Sequence, residues 1–209
     1  MQTEHHRPPR AFTLIELMIV VTLVALLLTL AAPSITIWLQ NLKVRNVGES
    51  FVNGLQLARM EAMRRNSRVT FSMVSGTDAN CTLSATSPSW VVAQGGVLPD
   101  ALVGKCNAAM VEAGGDVIQK NSAGPALKGT TIAATDANGA PAQCLTYDGL
   151  GQIPSQGSIA CANPIGRIDI SSPVSGTAPL RVVINQAGQV RLCYPDTDNK
   201  LSATDPRKC

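Results

Sequence analysis

Histidine is almost absent from this chain, and its position limits the chemistry that the protein can perform. The 209 residues include two histidines, His5 and His6, and both precede a long apolar segment near the N-terminus. If the residues ahead of that segment are removed, the remaining protein contains no imidazole. Histidine-based triads, histidine general bases and histidine-ligated zinc sites are then excluded.

The six cysteines are the other residues whose chemistry is informative. All follow the apolar segment, at positions Cys81, Cys106, Cys144, Cys161, Cys193 and Cys209. No two are spaced as C-x-x-C, and without histidine this pattern does not favour a zinc site. An even number of cysteines beyond a membrane segment instead indicates disulfides formed in an oxidising compartment such as the bacterial periplasm. The cysteine count by itself leaves their pairing open.

No other residues of the sequence form a motif typical of an enzyme active site. The sequence contains no nucleophile elbow and no phosphate-binding loop. Asp148, close to Gly149 and Gly151, is typical of a turn, and Asp169, between two isoleucines, is typical of an outward-facing strand residue. We therefore predict that the chain is not an enzyme and has no cofactor and no metal site.

The composition indicates a folded domain with an appendage. Apolar residues make up 45% of the chain and charged residues 15%, so the chain can bury enough apolar surface to fold. The net charge of +3 does not by itself indicate a nucleic-acid-binding protein.

The apolar segment is long enough to cross a membrane. Residues 17–42 are 26 positions without a charge, more than the roughly 18 of a membrane-spanning helix and more than the apolar core of a secretory signal. Leu30 and Pro33 make the bond after Ala32 a poor signal-peptidase site. Glu16 lies within the apolar run, so its charge either reaches the membrane interface or requires a positive partner.

The residues around Glu16 resemble the type IV prepilin signature. The motif is the stretch 11–17, AFTLIEL, with Ala11 where the family usually has Gly. The resemblance implies that prepilin peptidase cuts between Ala11 and Phe12 and that the new amine of Phe12 is N-methylated. It also implies that Glu16, the fifth mature residue, pairs with the Phe12 ammonium of a neighbouring subunit. Pro33 matches the helix-kinking proline of pilins.

A second apolar stripe predicts that the helix continues beyond the membrane. The stripe consists of Val47, Phe51, Leu55, Ala58 and Ala62, which lie on one helical face able to pack on a globular head. A helix from Leu14 to about Arg65 would span roughly 75–80 Å. Gly48 and Gly54, like the proline, are predicted points of weakness. The basic residues between 59 and 68 predict a solvated face or a contact for neighbouring subunits.

The stripe and the residues that follow it predict the fold. Residues 51–69, FVNGLQLARMEAMRRNSRV, resemble the GspH/FimT branch of the pilin superfamily, which implies a packed helix leading into the first strand. The candidate strands are Val69–Val74, Trp90–Gln94, Cys144–Tyr147, Arg167–Ile170, Leu180–Asn185 and Gln189–Cys193. Residues 186–188 are a predicted hairpin turn, and residues 95–142 are predicted to be long loops or an insertion. The predicted class is α+β, a pilin fold with a long N-terminal helix on an antiparallel sheet.

These elements predict four segments and a location. Residues 1–11 are the leader, 12–42 the hydrophobic helix that crosses the membrane and then lies in a filament core, 43–68 the amphipathic half of that helix, and 69–209 the β-rich head. We expect a single-pass protein of the bacterial inner membrane with a periplasmic head, which then enters a pilus or pseudopilus, at its tip.

The end of the chain resembles the tail of FimT/FimU-type minor pilins. The similar stretch is 193–209, and the resemblance implies a disulfide between Cys193 and Cys209 that ties the tail to the last strand. For the other cysteines, proximity along the chain favours the pairs Cys81–Cys106 and Cys144–Cys161.

Three functional hypotheses compete. The first is a structural subunit, a minor pilin that primes or caps a type IV pilus or, alternatively, pseudopilin H of type II secretion. Its implied partners are other pilins or pseudopilins, prepilin peptidase and an inner-membrane assembly platform. The second is DNA binding, since FimT-like members are associated with a Gly-Arg-x-Arg motif. The third is a membrane-anchored periplasmic enzyme, which the absence of catalytic motifs disfavours.

The match to the DNA-binding motif is incomplete. The corresponding stretch is 188–191, GQVR, in which Gln189 replaces the first arginine and Arg191 is retained. Each lost phosphate contact lowers both the affinity for DNA and its dependence on salt. Arg207 and Lys208 are the other candidate contacts to DNA.

Overall fold

The structure, a computed structural model, describes residues 13–95, 104–124, 129–154, 161–196, 201–202 and 204–209. It confirms the predicted class, because a long N-terminal helix packs on antiparallel sheets. Residues 1–12, which include the predicted leader, lie outside the described residues.

Helix α1 runs from Leu14 to Arg65 and has a defined cap at each end. The hydroxyl of Thr13 accepts a hydrogen bond from the backbone N–H of Glu16, which supplies a partner for one of the free donors of the first turn. Asn66 follows the helix in the left-handed conformation, with φ of 46°, and its N–H bonds to the last-turn carbonyls. The observed end of the helix agrees with the sequence prediction.

Within the described residues, no single helix is long and apolar enough to cross a membrane. The segments Leu14–Thr29 and Ser34–Arg65 are inclined at 46° to each other. Taken together, they have the length and the apolar composition that a membrane span requires. Pro33 falls in the interval between them, and the kink predicted at this proline stays a prediction.

The described part of the head forms two four-stranded antiparallel sheets. The strands are β1 (Val69–Val74), β2 (Ser89–Gln94), β3 (Val117–Asn121), β4 (Thr131–Thr135), β5 (Cys144–Tyr147), β6 (Arg167–Ser171), β7 (Leu180–Ile184) and β8 (Val190–Cys193). The first sheet has the order β3-β2-β1-β5 and the second the order β4-β6-β7-β8. A short 3₁₀ helix at Val111–Ala113 precedes β3.

The sequence prediction missed β3 and β4, which lie in the region expected to be loops. Strand β3 has one buried side chain, and in β4 exposed residues alternate with the buried Ile132 and Ala134. Such strands lack the run of large apolar residues by which strands are recognised in a sequence. The other six strands lie where the sequence placed them, and β7 and β8 are joined by the predicted turn at 186–188.

Helix α1 and both sheets share one apolar core. The core side of the helix contacts strands of the first sheet and of the second sheet. Strand β1 is buried on both faces, since a second cluster around the Cys81–Cys106 disulfide covers the face of its sheet opposite the helix. Strands β6 and β7 alternate between buried and partly exposed residues, as in a sheet with one face open to water.

Candidate functional site

The N-terminal half of α1, residues 14–42, is apolar around its circumference and exposed. We call it the apolar half, and the remainder, residues 43–65, the packed half. Leu27 is 64% exposed and Trp38 is 60% exposed, and the large apolar side chains from Leu14 to Leu28 are exposed as well. Contiguous apolar surface of this kind indicates contact with a membrane or with other proteins.

Two hydroxyl groups within the apolar half are satisfied by the helix itself. Thr22 Oγ1 donates to the Ile19 carbonyl at 2.8 Å, and Thr29 Oγ1 donates to the Leu26 carbonyl at 2.7 Å. A hydroxyl that bonds its own backbone carries little penalty in hydrocarbon, where no water is available. These two threonine hydroxyls are therefore compatible with an apolar environment.

Glu16 is an exception to this compatibility. It lies in the first turn of α1, its side chain is exposed, and no ion-pair partner for it is found among the described residues. An unpaired carboxylate in an apolar run is costly in a membrane and requires a positive partner or the interface. Ala11 and Phe12 lie outside the described residues, so cleavage, N-methylation and the pairing of Glu16 stay predictions.

The packed half has a single buried side. The predicted stripe is fully covered by the head, and its members are Val47, Phe51, Leu55, Ala58 and Ala62. Phe51 packs edge-to-face on Phe71 of β1, and Phe71 in turn lies against Trp90 of β2. The stripe therefore holds the helix to its own head.

Gly54 is a packing position, and α1 continues through it. A Cβ atom at Gly54 would lie 2.8 Å from Phe71 and 2.9 Å from Trp90. Gly48 is also helical, and a Cβ there would lie 3.0 Å from Leu192 of β8. The absence of side chains at these two positions lets the helix approach both sheets.

Arg59 ties the helix to two turns of the head, a role that the sequence prediction missed. Its Nε donates to the Gly151 carbonyl at 3.0 Å and its Nη2 donates to the Ala187 carbonyl at 3.2 Å. Tyr147, fully buried, lies in the same region, and burial raises the pKa of its phenol while the Arg59 charge opposes the shift. Arg59 directly follows Ala58, a member of the buried stripe. This position in the sequence could have indicated that the Arg59 side chain lies at the edge of the buried face.

Arg65 also binds within the head rather than forming a free basic face. Its Nε donates to Glu61 at 2.7 Å, and its Nη1 donates to Gln94 of β2 at 2.7 Å. Arg64 donates two hydrogen bonds to the same Glu61 carboxylate. The hydrogen bond from Arg64 is the largest cause of a lowered pKa at Glu61. The basic residues of this turn are thus partly structural.

A polar groove of about 560 Å³ lies between the packed half and the edge strand β3. Trp90 Nε1 and Asn121 Nδ2 both donate to Ser50 Oγ, at 3.0 and 2.6 Å, and close its inner end. The amides of Asn53 and Gln56 line its outer wall on the exposed side of the helix. Because its lining contains amides and no basic side chain, the groove is unsuited to phosphate groups.

The C-terminal tail is joined to β8 by a disulfide and by cations. Cys193 and Cys209 form a disulfide with Cα atoms 5.1 Å apart. Arg191 Nη2 donates to the carbonyls of Pro206 and Lys208 at 2.7 and 2.8 Å. The Lys208 ammonium pairs at 2.9 Å with Asp196, whose side chain is almost fully buried.

These contacts bear on the predicted DNA contacts. Arg207 hydrogen-bonds the Asp205 carboxylate and holds its pKa down at about 2. Arg191, Arg207 and Lys208 lie close together, but each has a partner within the tail. Gly188 at the start of the stretch has φ of 75°, and a Cβ atom there would collide with the Gly151 carbonyl. A close backbone approach is therefore sufficient to explain this glycine.

The other two disulfides join the pairs that proximity favoured. Cys81 bonds to Cys106 and Cys144 bonds to Cys161, with Cα atoms 6.0 and 5.9 Å apart. The first closes the loop that covers the outer face of the first sheet. Across the part of the chain that the structure describes, no cluster of three or more metal-ligating side chains occurs.

The sequence was then compared with known proteins. A family model described as type II transport protein GspH matches residues 48–188, which begin in the packed half and end in the β7–β8 turn. The chain belongs to the GspH family. A second model, the prokaryotic N-terminal methylation motif, matches residues 7–32. No curated protein matches the chain.

Two solved structures are similar to this GspH-family chain. Both are crystal structures of the type IV minor pilin FimU from Pseudomonas aeruginosa, with 16 and 17% sequence identity and TM-scores of 0.43 and 0.42. Each match covers 73% of this chain, and 97 and 92% of the respective FimU chain. The family and the methylation motif identify the chain as a pilin-like structural protein with an apolar N-terminal anchor helix.

Proposed function

We propose that the chain is a minor pilin, a structural subunit that helps to prime or cap assembly of a type IV pilus. Prepilin peptidase cuts it between Ala11 and Phe12, and residues 12–42 hold it in the bacterial inner membrane by a single pass. The observation that carries this proposal is the 52-residue helix α1, whose exposed apolar half continues directly into a half that is buried in a disulfide-bonded head.

The exposed side chains of the apolar half must be buried away from water by something other than the head. Before assembly the hydrocarbon of the membrane surrounds them, and after assembly the corresponding helices of neighbouring subunits do so. Both environments are apolar, so the transfer from membrane to filament changes little free energy for the leucine side chains. Glu16 then selects the register, because only a subunit that places the Phe12 ammonium beside the carboxylate removes the cost of the unpaired charge.

The outward side of the packed half extends this interface. Ile35, Leu39 and Leu42 of the apolar half are exposed, and Asn53 and Gln56 of the packed half follow along the same side of the helix. Amides can hydrogen-bond a neighbouring helix without the desolvation cost of an ion. We infer that neighbouring subunits contact the chain along this side, with assembly driven by the apolar residues and its specificity increased by the amides.

The first experiment measures sheared surface pili in a clean deletion strain and in the complemented strain. We expect pili to be lost on deletion and restored by the wild-type chain, because a subunit that primes assembly is needed in small amounts but cannot be replaced. Normal piliation in the deletion strain would contradict the minor-pilin role.

A second candidate function is that of pseudopilin H in type II secretion, which the description of the matching family favours. The same helix and the same cleavage motif would serve in a short pseudopilus. In this case deletion leaves piliation normal and abolishes release of secreted enzymes into the medium, so one strain distinguishes the two candidates.

DNA uptake is the third hypothesis, and the tail contacts weigh against it. Arg191 would have to leave two carbonyls, and Lys208 would have to leave a buried carboxylate, before either could contact phosphate. We therefore expect any DNA affinity to show little dependence on salt. A transformation defect with normal piliation and secretion would favour this hypothesis over the other two.

A further inference from the structure

One loop of the head contains a short sequence pattern that the proposed assembly function does not use. Asn80, Cys81 and Thr82 form the pattern Asn-x-Thr, and no other asparagine of the chain is followed two positions later by Ser or Thr. Asn-x-Ser/Thr is the acceptor pattern for N-linked glycosylation of exported proteins. Asp78 lies two positions before Asn80.

The structure places this pattern on an exposed loop between β1 and β2. Asp78, Asn80 and Thr82 are all exposed. The base of the loop is held by hydrogen bonds between Ser75 and Thr82, from N–H to carbonyl at 2.8 Å and from Thr82 N–H to Ser75 Oγ at 2.9 Å. The Cys81–Cys106 disulfide anchors the same end of the loop to the head. Asn80 is therefore accessible on a fixed base.

The loop also lies on the side of the first sheet that is free of α1. Cys81 and Cys106 pack with Val91 and Ala93 in a cluster on one face of that sheet. Trp90 and Val92, which alternate with them in β2, face the core that contains the helix. A large group attached to Asn80 would thus extend away from the helix and would not obstruct the packing of neighbouring helices.

We propose that Asn80 is an N-glycosylation site. Its donor is an oligosaccharide linked to a polyprenyl diphosphate, and a membrane oligosaccharyltransferase catalyses the transfer. The carboxamide nitrogen Nδ2 attacks the anomeric carbon, so that a C–N bond forms while the bond from that carbon to the diphosphate oxygen breaks. The polyprenyl diphosphate departs with the bonding electron pair, and one amide proton passes to a base of the transferase. No oxidant or reductant is needed.

The proposal rests on the proposed function, which places the head outside the cytoplasm. One tryptic digest tests the location of the head and the modification of Asn80 separately. Trypsin releases residues 69–105 as one peptide, because no Lys or Arg lies between Arg68 and Lys105. In protein purified from the native host without reduction, this peptide should be joined to peptide 106–120 through Cys81 and Cys106. That linkage shows that the head reached an oxidising compartment, whatever the state of Asn80.

The glycan is detected as added sugar mass on peptide 69–105 and located by fragmentation. We expect the mass on Asn80 in the wild-type protein and in Thr82→Ser, which keeps the hydroxyl that the transferase recognises. We expect Thr82→Ala, which keeps Asn80 itself, to reduce the modified fraction at least tenfold. An unmodified Asn80 in a correctly linked peptide would overturn the proposal and leave the proposed function intact. Sugar mass retained in Thr82→Ala, or found on a Ser or Thr, would overturn it as well.

Discussion

The two halves of α1 share one helix but not one environment. In the packed half, one side is apolar and buried, and Phe51 and Leu55 are completely covered by the head, while Met60 and Met63 are exposed. In the apolar half, apolar residues surround the helix, and Leu27 and Leu28 are more than 60% exposed. Both halves are rich in side chains that favour burial. The packed half buries them within its own chain, and the apolar half does not.

This difference separates the free energy of folding from the free energy of assembly. Substitutions in the packed half should change the stability of the head, because they alter its core. Substitutions in the part of the apolar half that makes no contact with the head, such as at Leu27, should leave that stability unchanged and alter only the contacts of the helix with its surroundings. Glu16 lies in the half whose apolar side chains are exposed. Its substitution should therefore affect assembly and leave the stability of the head unchanged.

The largest expected effect follows from substitution of Glu16 by alanine. The variant should still be cleaved by prepilin peptidase, because the cleavage site is retained, but its incorporation into filaments should fall at least tenfold. The reason is the loss of the carboxylate that pairs with a neighbour's ammonium. The measurement is the amount of the subunit in sheared filaments, with processing followed by the change in mass of the mature protein.

The matched control for Glu16→Ala is Glu61→Gln, a carboxylate at the other end of the same helix. Glu61 pairs with Arg64 and Arg65 inside its own head, so its substitution should leave incorporation near the wild-type level. Normal incorporation of Glu16→Ala would disprove the pairing role and with it the division of the helix into folding and assembly halves.

The second prediction compares a deletion of side-chain volume in each half. Phe51→Ala removes a fully buried ring from the core and should lower the free energy of unfolding by about 3–5 kcal/mol. Leu27→Ala removes an exposed side chain and should change it by less than about 0.5 kcal/mol. Denaturant unfolding of the full chain in detergent, followed by Trp fluorescence, measures both.

The two tryptophans allow this measurement to report on the head alone. Trp90 is almost completely buried between α1 and the first sheet, while Trp38 lies exposed in the apolar half. In a Trp38→Phe background, fluorescence therefore comes from the head. Equal destabilisation by Phe51→Ala and Leu27→Ala would contradict the proposed division, because it would mean that the apolar half is part of the folded core.

The third prediction distinguishes two interpretations of Gly54. If this glycine were a weak point of the helix, Gly54→Ala would stabilise the protein by about 1 kcal/mol through helix propensity. The structure predicts the opposite sign, because the new Cβ would lie within 3 Å of two aromatic rings. Overpacking costs about 1–3 kcal/mol, so we expect a net loss of up to about 2 kcal/mol. An increase in the unfolding midpoint would restore the interpretation from sequence.

Most of the fold could be predicted from the sequence because its signals are local. The stripe from Val47 to Ala62 has helical period, and β1, β5 and β7 are short apolar runs between turn residues. Strands β3 and β4 were missed because their positions depend on partners distant in the chain. β3 is defined by pairing with β2, and β4 by pairing with β6.

The structural roles of individual polar residues were less accessible from sequence. Arg59 and Arg65 belong to a run of basic residues that has the composition of a solvated face, yet both bind carbonyl or amide oxygens of the head. The acceptors Gly151 and Gln94 are 92 and 29 residues away, and only the folded chain brings them together. The same holds for Gly54, whose role depends on rings contributed by two strands.

The smallest effect expected within the packed half concerns pH. Hydrogen bonds from Arg64 and Arg65 lower the pKa of Glu61 from its ordinary value of 4.5. A carboxyl with a lowered pKa contributes stability above its unfolded pKa and loses that contribution as the pH falls through the folded pKa. Stability should therefore decrease below about pH 4.5, and Glu61→Gln should remove this part of the dependence at a cost of a few tenths of a kcal/mol near neutral pH. Unfolding midpoints of both proteins between pH 3 and 7 measure the difference. Parallel curves would show that the Glu61 carboxylate adds nothing to the stability with which the packed half is held to the head.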